Sequence, residues 1–316
     1  MPNSIAAIVV TYGATPHEVD SLINAVQKQV THIILVDNGS PLLKQIKRVS
    51  HLHIIKLNNN YGLAYAQNIG IERAIKLKVD HVLFLDQDSV PHPGMVDKLY
   101  QAVIIAQGQG FDIAAAGPVT IDRRLGTQNI LVLNGLLPRR YAPNQLKKNT
   151  FIEVAFLISS GSLVSIGALK KIGGQRSDYF IDHLDTEWCL RAKNLSYTLI
   201  CVVDAKMQHT LGDTAKRVWF FGMRTVFSHQ PLRDYYMFRN TLLMLRDVKL
   251  NFIWRLHFLW RLQQFMVYFC VFNPDRLKRL SLMILGLRDG LLNRRGLLDP
   301  KTFKLHRIPQ TSLDLK

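Results

Sequence analysis

A chain of 316 residues, 48% hydrophobic and 20% charged, has the composition of a folded globular protein and is long enough for one large domain with an appendage. Its three cysteines, Cys189, Cys201 and Cys270, are odd in number and far apart, which excludes a disulfide framework or zinc cluster and fits a reducing compartment. The net charge of +17 is uneven, residues 216–316 holding 19 Lys and Arg against 6 Asp and no Glu; mixed there with Trp219, Trp254, Trp260 and several Phe, it points to an anionic membrane surface and not to nucleic acid, for which no recognition signature is present.

The first half alternates short apolar runs with amphipathic segments, the pattern of β-α units around a mostly parallel sheet. Residues 5–12 predict a buried strand and 17–29 a helix; 33–36 predict a second strand running into Asp37-Asn38-Gly39-Ser40, and 54–57 a third. A helix is expected over 62–77, then a fourth strand over 81–85 that ends in Asp86-Gln87-Asp88. Polar residues thus gather at strand C-termini, the edge of an open α/β sheet where unpaired backbone donors meet ligands. Residues 126–150 predict loops or a short hairpin, 151–164 strand character around Ser159-Ser160-Gly161, and 179–193 a helix with acidic first turns, as the helix dipole favours. Beyond Gly212, stretches rich in Leu, Met, Arg and Gln continue to about Asn293 and predict a helical extension. Its longest uninterrupted apolar run, residues 265–272, is far short of the roughly 20 residues of a spanning helix, so the extension is expected to lie on a leaflet and not to cross it. The opening Met-Pro-Asn-Ser has no basic n-region, so no secretory signal is expected.

Several positions could carry chemistry. Asp86 and Asp88 flank Gln87 at a strand-to-loop junction; carboxylates so spaced can hold Mg2+ or Mn2+ against phosphate oxygens, although Asp is also common in turns. Asp37, at another strand end, can accept the N3–H of uracil or thymine or serve as a turn residue beside Asn38-Gly39. The run Asn60 to Gly70 sets small residues at a helix start, which suits both an anionic ligand and tight helix–sheet packing. Asp182 and Asp185, three apart, would share a helix face, whereas Glu187 would point elsewhere. A carboxylate there that faces a substrate hydroxyl can act as general base. His209 follows an apolar run, where neutral imidazole completes a metal site or serves as a structural hydrogen-bonder.

In order along the chain, Val9-Val10-Thr11-Tyr12, Val36 to Ser40, the Asn60 to Gly70 run, Asp86-Gln87-Asp88, Ser160-Gly161, Asp185-Thr186-Glu187 with Leu190-Arg191, and His209 resemble the bacterial family-2 glycosyltransferases over about residues 4–240. The stretch from His229-Gln230-Pro231 to Tyr235-Tyr236-Met237-Phe238-Arg239-Asn240 is most similar to rhamnosyltransferases of surface-polysaccharide assembly. The resemblance implies an α/β fold of the GT-A type, Rossmann-like, over residues 1–215, with a nucleotide-sugar half of about 1–90 and an acceptor half of about 91–215. A basic, aromatic-rich, membrane-associating helical extension would fill 216–316. The implied reaction is inverting sugar transfer from a nucleotide diphosphate, dTDP-rhamnose or else a UDP-hexose, to a lipid-linked saccharide in O-antigen, capsule or exopolysaccharide assembly, at the cytoplasmic face of the membrane.

Carried onto this sequence, the resemblance gives Thr11, Tyr12, Asp37, Asn60, Gly62, Asn68, Asp86 and Gln87 to the nucleotide sugar. It gives Asp86, Asp88 and His209 to Mg2+ or Mn2+, and the role of base to Asp185. Many relatives have Glu-Asp where this chain has Leu184-Asp185, so Asp182 stays a reserve base. Arg239 would add a bidentate phosphate contact or else belong to the basic membrane face. No strand runs into a Gly-x-Gly-x-x-Gly turn, which argues against a nicotinamide-dependent oxidoreductase. The retained Asp86, Asp88 and Asp185 argue against a sugar-binding relative without chemistry.

Overall fold

The computed structural model describes residues 4–40, 46, 49–129, 131–143, 151–210, 212, 214–219, 223–273, 275–299 and 302. Strand β1 (Ile5–Thr11) sends Ala6, Ile8 and Val10 into one apolar cluster and Ile5, Ala7 and Val9 into another, as a continuous apolar run does in a sheet covered on both faces. Helix α1 (Pro16–Val26) follows, opened by a Thr15–Glu18 capping box with Pro16 in its first turn. Next come β2 (His32–Asp37), β3 (Leu52–Lys56), α2 (Leu63–Lys76), β4 (His81–Asp86), β5 (Val90–Pro91) and α3 (Met95–Gly108). The middle of the chain forms β6 (Ile113–Asp122), the hairpin β7 (Leu131–Leu133) and β8 (Arg139–Tyr141), β9 (Phe151–Glu153), β10 (Leu163–Ser165), α4 (Ile166–Ile172) and α5 (Leu184–Asn194). After β11 (Thr198–His209), the hairpin β12 (Thr214–Trp219) and β13 (Met223–Ser228) leads to α6 (Pro231–Asp247), α7 (Phe252–Phe272) and α8 (Arg276–Leu291).

The main sheet runs β3-β2-β1-β4-β10-β6-β11-β5, with β9 also pairing β11. Strands β3, β2, β1 and β4 are mutually parallel, whereas β10 is antiparallel to both β4 and β6. From β1 the chain turns first toward β2 and β3 and later toward β4, so the crevice beside the C-terminal end of β1 is a topological switch point. Register places Thr11 opposite Asp37 and Val10 opposite Asp86 at that edge. Helices α2, α4 and α5 cover one face and α1 and α3 the other. Gly70 lets α2 lie close on β1, since a Cβ there would stand 2.4 Å from Ile8 Cγ2; its small size serves packing.

Three expectations need correction. The helix expected over 179–193 begins only at Leu184, because Phe180, Asp182 and His183 have left-handed φ values of 69°, 64° and 62°. Asp182 therefore lies outside the helix and shares no helical face with Asp185. The strand expected over 151–164 is interrupted: a turn around Ser160 and Gly161 separates β9 from β10. The extension opens with the β12–β13 hairpin, not a helix, consistent with its Thr, Val and aromatic content. The hairpin expected within 126–150 is β7–β8, and residues 144–150 lie outside the described residues.

The C-terminal helices are joined to the rest of the fold, and to one another, by buried polar contacts. Asn240 Nδ2 on α6 donates to the carbonyls of Tyr179, Ile181 and Asp182 at 3.0, 2.7 and 3.1 Å. Arg239 donates to Tyr179 O at 2.9 Å and to Gly296 O, and Arg279 on α8 pairs with Asp234 at 2.8 Å, with both side chains buried. The bonds to the carbonyls of Tyr179, Ile181 and Asp182 hold residues 180–183 in a backbone shape that non-glycine residues rarely adopt. A division at 215/216 therefore runs between a loop and the helix that shapes it. Among the described residues, no helix is long and apolar enough to cross a membrane.

Candidate active site

A cavity of about 630 Å³ opens at the sheet edge bordered by Val10, Tyr12 and Asp86. Asp86 ends β4 and Asp88 lies in the turn to β5, which pairs with β11 through Val90 and Gln208, so His209, one residue on, lands beside Asp88. One oxygen from each carboxylate and one ring nitrogen of His209 lie within 4.8 Å of one another. His209 Nδ1 stands 3.2 Å from Asp88 Oδ1, and Nε2 3.7 Å from Asp86 Oδ2. Behind the ring, Ser89 Oγ is 3.1 Å from Nδ1 and 2.6 Å from Ser160 Oγ, which accepts the Asp86 amide at 3.1 Å.

Burial raises the pKa of Asp86, and the neighbouring charges of Asp88 and Asp185 add to this against the pull of His209. Burial pushes Asp88 the same way, but the hydrogen bond and charge of His209 outweigh it and hold that carboxyl low. The imidazole is raised in return, the two carboxylates overcoming its burial. Two carboxylates whose repulsion a cation would relieve, beside an imidazole held by a hydroxyl chain, suit a hard divalent ion such as Mg2+ or Mn2+.

Asp185 reaches the same cavity from the first turn of α5. Its Oδ1 accepts the Thr186 amide at 2.7 Å and its Oδ2 the Ser159 amide at 3.3 Å. Burial raises its pKa, with those amides opposing and Asp182 adding to the rise. Asp182 also lines the cavity, yet Arg233 binds both of its oxygens, Nε reaching Oδ2 at 3.2 Å. Burial would raise Asp182 too, but the guanidinium outweighs it and holds the carboxyl below its ordinary range. Proton affinity therefore separates the two carboxylates, leaving Asp185 the stronger base and Asp182 a counter-ion.

Of the residues expected to meet the nucleotide sugar, Tyr12, Asn60, Gly62, Asp86 and Gln87 line the cavity. They are wired together: Gln87 Oε1 accepts the Tyr12 amide at 2.9 Å, and Asn38 Nδ2 donates to Asn60 Oδ1 at 2.9 Å. Thr11, Asp37, Asn68 and Arg239 do not line it. Asp37 is 1% exposed and accepts from Thr11 Oγ1, Ser40 N and Ser40 Oγ, so a base reaching it must displace the serine. Asn68 is occupied by Gln175 N, Gln175 O and Ser177 Oγ, and it ties α2 to the loop before residue 177. Arg239 is fully buried, with its guanidinium on backbone carbonyls and over the rings of Tyr235 and Tyr236. Its guanidinium is thus turned away from both the cavity and the solvent-exposed surface. Gly62, at φ 89°, gives close approach to Phe180, since a Cβ there would stand 2.6 Å from its carbonyl oxygen.

Residues 6–173 match the family model described as glycosyl transferase family 2. The dTDP-rhamnosyl transferase RfbF of Shigella flexneri is 32% identical over 251 residues, 78% of this chain and 81% of that protein. This chain belongs to glycosyl transferase family 2. The crystal structure of S. aureus TarS 1-349 superposes with a TM-score of 0.55 at 13% identity, covering 92% of this chain and 82% of TarS. That of GalNAc-T7 with UDP, GalNAc and Mn2+ gives 0.52 at 11% identity, covering 86% of this chain and 58% of that one. These likenesses show the GT-A fold expected from the motif order.

For a family 2 member, the sequence reading missed Ser89, His183, His229 and Arg233. Ser89 directly follows the Asp86-Gln87-Asp88 motif but carries no charge to mark it. His183 caps α5, meets Thr241 Oγ1 at 2.9 Å and is pushed down to about 4 by burial. Arg233 had a usable signal, because Pro231 marks a helix start and helix starts at a sheet edge face ligands.

Proposed function

We propose that this family 2 glycosyltransferase moves L-rhamnose from dTDP-rhamnose, with inversion, to a hydroxyl of a lipid-linked saccharide at the inner face of the cell membrane. The observation that carries the reading is the convergence of Asp86, Asp88, His209 and Asp185 on one cavity. The rhamnosyl donor is supported by the likeness to the Shigella flexneri dTDP-rhamnosyl transferase. Tyr12, Asn38, Asn60 and Gln87 form the wall for the nucleotide, with Asp37 behind them. Asp86, Asp88 and His209 would hold Mg2+ or Mn2+, which when bound supplies positive charge against the diphosphate leaving group. Asp185 accepts the proton of the acceptor hydroxyl as that oxygen bonds to the anomeric carbon. The bond from that carbon to the diphosphate breaks, and its electron pair leaves with the nucleotide. A single displacement of this kind inverts the centre.

The donor assignment is tested by assaying transfer from dTDP-rhamnose, UDP-glucose and UDP-N-acetylglucosamine with Mn2+ and a lipid-linked acceptor. Turnover is expected to be greatest with dTDP-rhamnose; preference for a UDP-hexose would transfer the reading to the runner-up donor and leave the family intact.

The membrane reading is supported by an apolar stripe on α7 that includes Phe252, Leu256, Trp260, Val267 and Val271, all exposed. The β7–β8 hairpin tip adds exposed Leu136 and Leu137 and is joined to α7 by Trp254 Nε1 donating to Gly135 O at 3.0 Å. No acidic residue lies between Asp247 and Asp275, whereas Arg139, Arg140 and Arg255 are exposed, so this surface suits apolar insertion beside anionic headgroups. Vesicles of phosphatidylglycerol should sediment the wild type, and the Leu136→Asp, Trp260→Asp double variant should remain in solution. Equal sedimentation of the two would remove this surface from the reading.

A further inference from the structure

We infer that Arg233 binds the diphosphate of the nucleotide-sugar donor, and that Asp182 occupies its guanidinium until the donor arrives. The inference rests on the donor reading above and concerns a residue to which that reading gives no substrate. Among the described residues lining the cavity, Arg233 is the one Lys or Arg, against five carboxylates, Glu18, Asp86, Asp88, Asp182 and Asp185. An anionic diphosphate entering so acidic a space needs more compensation than one divalent ion gives, and Arg233 is a cation already in place.

The hydrogen bonds of the pair show what the site can exchange. Arg233 presents Nε and one terminal nitrogen to the two oxygens of Asp182, while the other terminal nitrogen meets His229 Nδ1 at 2.8 Å. Burial and the guanidinium push His229 down to about 3, so at neutral pH its ring is an uncharged neighbour and not a competing cation. A guanidinium fork that fits two carboxylate oxygens fits two phosphate oxygens equally well. A purely architectural role would be to pin α6 to residues 180–183, but Asn240 and Arg239 already do so from full burial. The Arg233 and Asp182 side chains keep 20% and 16% exposure, which suits a contact that opens.

The same phosphate chemistry could come from a lipid diphosphate acceptor, so the test separates the sources. Calorimetry with Mn2+ should show Arg233→Ala weakening dTDP binding roughly 10- to 100-fold, the scale of a lost charge-assisted bond, while thymidine binds as in the wild type. Arg233→Lys should recover part of the loss. Asp182→Asn, which removes the competitor, should bind dTDP at least as tightly as the wild type. Unchanged dTDP affinity in Arg233→Ala overturns the inference, and if the acceptor KM alone rises, the contact belongs to the acceptor. Parallel loss of dTDP and thymidine in all three variants would make the pair structural. A wild type that binds neither dTDP nor UDP would remove the donor reading itself.

Discussion

Replacing Asp185 by asparagine should lower kcat by at least about 100-fold, the usual scale of losing a general base, while dTDP and Mn2+ still bind. Asparagine keeps the shape and its single carbonyl oxygen can accept the Thr186 amide, but its NH2 group can neither accept the Ser159 amide nor take a proton. Burial raises the Asp185 pKa above its ordinary 3.8, and the base acts when ionised. Activity should therefore fall with decreasing pH at a higher pH than an exposed aspartate would set, and the residual activity of Asp185→Asn should lack that dependence. The sign for stability is opposite: a carboxylate with a raised folded-state pKa stabilises the fold at low pH and loses that contribution as pH rises through the folded value. Once ionised, the side chain is thus a strain on the fold; Asp185→Asn relieves that strain but leaves the Ser159 amide without its acceptor, so its Tm should stay close to that of the wild type. Full turnover in this variant would remove Asp185 from the chemistry; a lowered Tm with lost nucleotide binding would mean damage to the fold.

The second large effect concerns Asp88. Asp88→Ala should abolish Mn2+ binding measured by calorimetry and reduce transfer by roughly a thousandfold or more, since a metal's stabilisation of a leaving group is worth several kcal/mol. Excess EDTA should do the same to the wild type. Ser89→Ala keeps both carboxylates and the imidazole but removes a hydroxyl that orients the ring, so Mn2+ affinity should drop about 10- to 100-fold. Undiminished transfer in EDTA would show that the three side chains serve structure instead.

The sheet was legible because the apolar run from Ile5 to Val10 and its counterparts in β2 and β4 are buried on both faces, and such strands announce themselves as continuous hydrophobic stretches. Asp86, Asp88 and Asp185 were legible as cavity residues because polar side chains at strand C-termini and helix starts face the open edge of such a sheet. Arg239 was not: a lone arginine reads as a surface charge, and it takes the Tyr179 and Gly296 carbonyls, the Asn240 side chain and two tyrosine rings, gathered by the fold, to make its burial tolerable. The left-handed turn at Asp182 was hidden for the same reason, since local sequence favours continuing the helix and distant Asn240 decides otherwise. Asp37 was read for what it could offer a base, whereas its geometry depends on Ser40 two positions beyond Asn38. Arg233 became visible as a cavity residue only once α6 had folded against the 180–183 loop.

Asn240 also bears on how the rim of this cavity could be exchanged between relatives. Because one side-chain amide gathers the carbonyls of Tyr179, Ile181 and Asp182, a chimaera that imports α6 from a relative without its matching loop inherits a mismatched donor and acceptor geometry at the rim of the cavity. Productive exchanges should move the two segments as a unit, with their junctions placed before Arg176 and after the α6 C-terminus.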